Sequence, residues 1–101
     1  MTQFKAGVVF WNMHESITLN LNIIDAIHRR IALRPAIITS ARDGEHSEGS
    51  LHYEGKAIDL RTRDLPKALI EELAADLAAG LGTAWDVVIE DDHVHVEFDP
   101  K

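Results

Sequence analysis

The sequence contains no cysteine, which excludes disulfides and thiolate ligands and leaves histidines and carboxylates as the metal-binding repertoire. No run reaches the eighteen or so consecutive apolar residues of a membrane-spanning helix, so no membrane partner is expected. Basic clusters are equally scarce: the largest contiguous one is Arg29-Arg30, in a chain whose 10 Lys and Arg face 17 Asp and Glu for a net charge of -7. Binding to a phosphate backbone would lack its main electrostatic term, which argues against nucleic acid. The apolar patch from Ala6 to Trp11 is brief and runs into Asn12, His14 and Glu15, unlike a secretory signal. Synthesis in the cytoplasm without a signal peptide is the expectation. Repeats, linkers and low-complexity segments are also missing, so the 101 residues read as a single domain.

What is present has clear periodicity. Ile17, Leu21, Ile24, Ile27 and Ile31 recur at helical spacing from Ser16 onward, and the pattern ends near Arg34-Pro35, because proline disfavours a helical residue before it. Leu69, Leu73 and Leu77 form a second helical stripe, with Asp64 as its expected cap, Pro66 in its early turn, and Gly80 and Gly82 as its stop. Residues 6–11 read as a short strand or an arm packing Phe10 and Trp11 on the core. The run from Ala36 to Ser40 is apolar on both parities, as in an interior strand covered on both faces. The polar, glycine-containing stretch over 43–49 reads as an exposed loop. From Lys56 to Arg61, Ile58 and Leu60 share one face while Ala57, Asp59 and Arg61 share the other. Residues 85–90 and 93–98 form a hairpin about Asp91-Asp92, whose last strand puts His93, His95 and Glu97 together, opposite Val94, Val96 and Phe98.

Two motifs carry chemistry. The first is S-x-H-x-x-G-x-A-x-D, formed by Ser50, His52, Gly55, Ala57 and Asp59; the second is H-x-H, formed by His93 and His95. Gly55 permits a turn that brings His52 back towards Asp59, Ala57 leaves space above the strand, and Ser50 pins the loop through local hydrogen bonds. Two imidazoles and one carboxylate are the donor set of a zinc ion that keeps an open position. His14, His28 and His46 have no partner spacing and are assigned no role.

These motifs, over most of the chain from the first helix to Glu97, resemble the M15 group of zinc D-Ala-D-Ala carboxypeptidases and L-alanyl-D-glutamate endopeptidases, which is structurally related to the signalling domain of hedgehog proteins. The resemblance implies an α+β fold, a small, mixed, largely antiparallel sheet packed by two helices. It implies Zn2+ held by His52, Asp59 and His95. Asp92 would be the general base, with Glu90 as its substitute, although strand alternation turns Asp92 away from His95. His93 would hydrogen-bond the tetrahedral intermediate, or else lend the metal a fourth ligand, Glu97 would orient a ligand histidine, and Arg42 would stabilise the oxyanion, with Arg61 as its competitor or as a carboxylate anchor.

The function implied is zinc-dependent hydrolysis of an amide bond in peptidoglycan stem peptides, with a peptidoglycan peptide as partner. A phage product, released by a holin or carried in a virion, fits the short chain. The alternative is a noncatalytic metal-binding or virion structural module of the same fold. The sequence leaves the oligomeric state open.

Overall fold

The structure is a computed structural model, and it describes residues 2–44, 46 and 49–100. The loop expected over 43–49 therefore lies partly outside the described residues. The elements run β1 (Gln3–Phe4), α1 (Glu15–Ala32), β2 (Ile37–Ser40), β3 (Ala57–Arg61), α2 (Lys67–Leu81), β4 (Trp85–Ile89) and β5 (His93–Phe98). The strands form one sheet in the order β1-β2-β3-β5-β4. Only the β1–β2 pairing is parallel, so the sheet is mixed and largely antiparallel, and the fold is the expected α+β class.

The sheet owes its shape to alternation. Ile58 and Leu60 of β3, Ile38 of β2, and Val94 and Val96 of β5 are fully buried and join Ile17, Ile24, Ile27 and Ile31 of α1 and Leu73 and Leu77 of α2 in one core. Both helices thus use one side of the sheet, and the opposite side of β3 and β5 stays open for the polar residues of the same strands. This corrects the reading of β2 as covered on both faces: Ile38 is buried, whereas Ile37, Thr39 and Ser40 are half-buried.

Local chemistry sets the helix ends. His14 caps α1, its Nδ1 accepting the Ser16 backbone N–H at 3.1 Å, and Leu33 closes the helix in the left-handed conformation at φ 59°, two residues before Pro35. The expected cap of α2 is not formed. Pro66 occupies that position without a side-chain hydrogen bond, and Asp64 instead accepts two hydrogen bonds from Arg34, at 2.5 and 2.8 Å. A bidentate guanidinium competes well against one backbone N–H, and this pairing with Arg34 draws the Asp64 pKa down to about 2. Nor does Gly80 stop α2, which runs on to Leu81; a Cβ at Gly80 would lie 2.8 Å from Ile27 Cδ1, so the glycine serves close packing of the two helices.

The N-terminal segment also departs from expectation. Its strand is Gln3–Phe4 rather than part of 6–11, and while Phe10 packs on the core, Trp11 is exposed. The segment is tied down by backbone groups, with Arg42 N–H donating to the Val9 carbonyl at 3.0 Å and Val9 N–H to Asp43 at 2.8 Å.

His28, fully buried on α1, makes stability depend on pH. Burial lowers its pKa below the ordinary 6.5, and the hydrogen bond from its Nδ1 to the Arg34 carbonyl only partly offsets this. The folded state therefore takes up a proton less readily than the unfolded chain, and stability contributed by the neutral ring falls as pH drops below about 6.5. Urea denaturation of wild type and His28→Leu at pH 7.5 and 5.5 checks this. Wild type is expected to lose more stability on acidification than the variant, and equal losses would remove His28 from the account.

Candidate metal centre

β3 and β5 pair antiparallel with Asp59 opposite His95, Ala57 opposite Glu97 and Arg61 opposite His93. Because cross-strand partners point to the same face, this register alone places Asp59 and His95 side by side on the open side of the sheet. His52 arrives from the preceding turn. Gly55 adopts φ 72°, and its carbonyl accepts the His14 N–H at 2.9 Å, while His52 N–H donates to Ser50 Oγ at 3.2 Å. A Cβ at Gly55 would meet Arg42 Nη1 at 2.9 Å and the His14 backbone nitrogen at 3.1 Å, so the turn needs glycine for its conformation and for its space.

His52 Nε2 lies 3.1 Å from Asp59 Oδ1 and 3.1 Å from His95 Nδ1, and His95 Nδ1 lies 3.0 Å from the same Asp59 oxygen. One ligand atom from each of His52, Asp59 and His95 falls within 4.8 Å of the others. The outward ring nitrogens are already engaged: His52 Nδ1 donates to the Ala41 carbonyl at 2.7 Å, and His95 Nε2 donates to Glu97 Oε1 at 2.6 Å. A carbonyl only accepts, so His52 carries its proton on Nδ1 and aims the Nε2 lone pair inward. The neutral form of His95, protonated towards Glu97, does the same with Nδ1. Three acceptors then face one point, an arrangement that requires a proton or a cation between them.

Burial opposes charge on Asp59 and His95, but it is outweighed. Contacts with the His52 and His95 rings hold the Asp59 carboxyl far below the usual carboxylate range, and bonds to Asp59 and Glu97 raise the His95 pKa above the ordinary value. A dication bound between the three groups would compete with protonation of His95, as metal binding to histidine generally does. The donor set, with each ring oriented from behind, fits zinc with three protein ligands.

The three residues open onto a hollow of about 520 Å³ that His46, Ser50, Val88, Glu90, His93 and Glu97 also line. His46 had no sequence signal, because its approach depends on a loop: it stacks on His52 with ring centroids 3.8 Å apart and planes at 4°. His93 stands at the edge, its Nε2 3.5 Å from Asp59 Oδ2 and its Nδ1 2.7 Å from Asp92 Oδ1.

Asp92 and Arg42 are not brought to this hollow. Asp92 precedes β5 and follows its alternation, so its largely exposed carboxylate lines a separate depression. Its hydrogen bond with His93 lowers its pKa. Arg42 turns towards the N-terminal segment, its Nη1 3.3 Å from the Asn12 carbonyl. Of the two acids weighed as general base, Glu90 lines the hollow.

The model of the hedgehog amino-terminal signalling domain matches residues 13–97, which takes in every residue of this centre. The chain belongs to this family. Among curated hedgehog proteins, the Indian hedgehog B protein of Danio rerio is 45% identical over 53 residues, which are 52% of this chain and 13% of that protein. The Indian hedgehog protein of Gallus gallus is 43% identical over 53 residues, and the Sonic hedgehog protein of Danio rerio is 42% identical over 53 residues, covering 13% and 12% of those proteins respectively. This hedgehog domain thus spans a small part of the length of the curated relatives it matches.

Membership in a signalling family overturns the peptidase expectation, and with it the peptidoglycan partner and the phage or holin route to a cell wall. The physical reason the motifs misled is that S-x-H-x-x-G-x-A-x-D and H-x-H specify a cradle of histidine and carboxylate donors, not the chemistry it serves. A cradle is compatible with hydrolysis and with recognition alike.

Proposed function

We propose that this hedgehog-family domain is a noncatalytic, zinc-organised recognition module that docks a protein receptor on the open face of its sheet. The single observation supporting the metal is the convergence of His52 Nε2, Asp59 Oδ1 and His95 Nδ1, with both outward ring nitrogens committed to Ala41 and Glu97. Zinc bound there supplies positive charge and a coordination position left open by three protein ligands. The chain's own residues hold that position on a rigid sheet: Glu97 orients His95, Ala41 orients His52, and His46 covers the His52 ring. Val88, which lines the hollow, and Tyr53, which packs edge-on against His46 of its lining, are both exposed and give a partner apolar and aromatic surface. The resemblance of the motif to M15 zinc peptidases is then one of fold and donor cradle, without hydrolysis.

The test is metal analysis followed by binding. Purified protein dialysed against buffer with trace zinc is expected to retain one zinc per chain by mass spectrometry of the metal, and to bind an immobilised hedgehog receptor ectodomain in a chelator-sensitive way. Failure to retain zinc would overturn the metal assignment. A zinc-loaded domain that leaves the receptor unbound would overturn the docking role.

A further inference from the structure

A second, smaller hollow of about 180 Å³ lies beside the metal centre, lined by Lys5, Thr39, Arg61, Arg63, Asp92 and His93. It gathers three of the chain's 10 Lys and Arg in a protein of net charge -7. Among the described residues, none of Lys5, Arg61 and Arg63 forms an ion pair. Cations in an acidic chain normally find carboxylates, and three left together raise the local potential. The single acid present, Asp92, is already engaged by His93 at 2.7 Å.

The hollow is built by tertiary structure. Arg61 ends β3 and faces the open side of the sheet with Asp59, Arg63 follows two residues later, and Lys5 is held at the end of β1 by its N–H bond to the Ile38 carbonyl at 2.9 Å. The β2–β3 register shifts between Ile38 and Ser40, and this irregularity carries Thr39, which lines the same space. His93 borders both hollows, so a ligand held in one reaches the other across a single side chain.

We infer that this hollow is a subsite for one carboxylate group of the docking partner, held by the Arg61 and Arg63 guanidiniums with Lys5 closing the N-terminal side. Planar guanidinium forks match a carboxylate in two-point geometry. A carboxylate suits the hollow better than a phosphate dianion, because Asp92 on its wall opposes the second charge. The partner as source of the carboxylate rests on the docking role proposed above; the anion-binding property does not.

The test uses the full chain in zinc-loaded and metal-free form, titrated with sodium acetate and separately with sodium phosphate at constant ionic strength, following the Arg61 and Arg63 side-chain N–H signals and the Lys5 amide by NMR. Acetate is expected to give saturable shifts confined to the hollow in both metal states, and Arg61→Gln/Arg63→Gln to weaken the apparent affinity about tenfold or more. Should the double variant fail to fold, Arg63→Gln alone, at an exposed position, is expected to weaken it about threefold or more. Shifts that grow linearly without saturation, or that persist unchanged in the folded variant, would overturn the subsite. Tighter binding of phosphate than of acetate would overturn the carboxylate assignment. Because metal-free protein is included, loss of the zinc reading and loss of this one give different results.

Discussion

His95→Ala is expected to abolish most of the stabilisation that zinc confers on this domain. A ligand that binds only the folded state adds about 2.7 kcal/mol at a hundredfold excess over its dissociation constant. In a domain of about a hundred residues that raises the melting temperature by roughly 10–20 °C. Losing a residue that merely orients a metal ligand weakens a site about 10–100-fold, and removing the ligand itself costs at least as much. His95 Nδ1 is one of the three converging donors, and its other nitrogen is fixed by Glu97. The measurement is thermal unfolding with and without zinc, comparing the zinc-induced rise within each protein. Asp91→Asn, exposed at the β4–β5 turn, controls for loss of a charge near the site. An equal rise in wild type and His95→Ala would mean that zinc binds elsewhere.

Leu60→Ala should be the most damaging single truncation on β3. The side chain is fully buried and its neighbours across the sheet, Ile38 and Val94, are fully buried too. Removing a large aliphatic group from such a position costs about 2–5 kcal/mol, through lost transfer energy and the cavity left behind. Against the roughly 5–15 kcal/mol by which domains are stable, that is a large fraction. In urea the unfolding midpoint is expected to fall with the slope unchanged. Val88→Ala on β4, where the side chain is partly exposed, should cost about 0.5 kcal/mol or less. Leu60 and Asp59 are adjacent on one strand and face opposite ways, so zinc at Asp59 is expected to restore part of the stability that Leu60→Ala removes. A variant as stable as wild type would refute the placement of Leu60 in the core.

The features legible in the sequence follow from local rules. The isoleucine stripe of α1 and the leucines of α2 repeat at helical spacing, and α1 ends at Ala32, capped by Leu33, just before the Arg34-Pro35 pair that disfavours helix. Alternation along β3 and β5 sorted Ile58, Leu60, Val94 and Val96 into the core and left Asp59, His93, His95 and Glu97 on the other face. The same rule turned Asp92 away from His95, and the structure places it in the second hollow.

Other features depend on neighbours distant in sequence. Arg42 sits ten residues before His52, yet it reaches back to Asn12, because the N-terminal segment packs beside it. His46 covers His52 through a loop of no regular period. Asp64 pairs with Arg34 instead of capping α2, and Lys5, Arg61 and Arg63 form no cluster in the linear chain although they line one hollow. The motifs identified a cradle of histidine and carboxylate donors, which by itself names no activity, so a peptidase was one reading of it; the match over residues 13–97 assigned the chain to the signalling family.

By itself the sequence determined the helices, the faces of the strands and the residue types of the S-x-H-x-x-G-x-A-x-D cradle, since periodicity and turn geometry act within a few residues. Tertiary structure alone decided the rest. The β3–β5 register set Asp59 against His95, the turn at Gly55 delivered His52, and folding carried Arg42 away while gathering Lys5, Arg61 and Arg63 at one hollow nearby. The physical reason is that side-chain direction is a local property, whereas which side chains meet depends on strand pairing and loop closure across the whole domain.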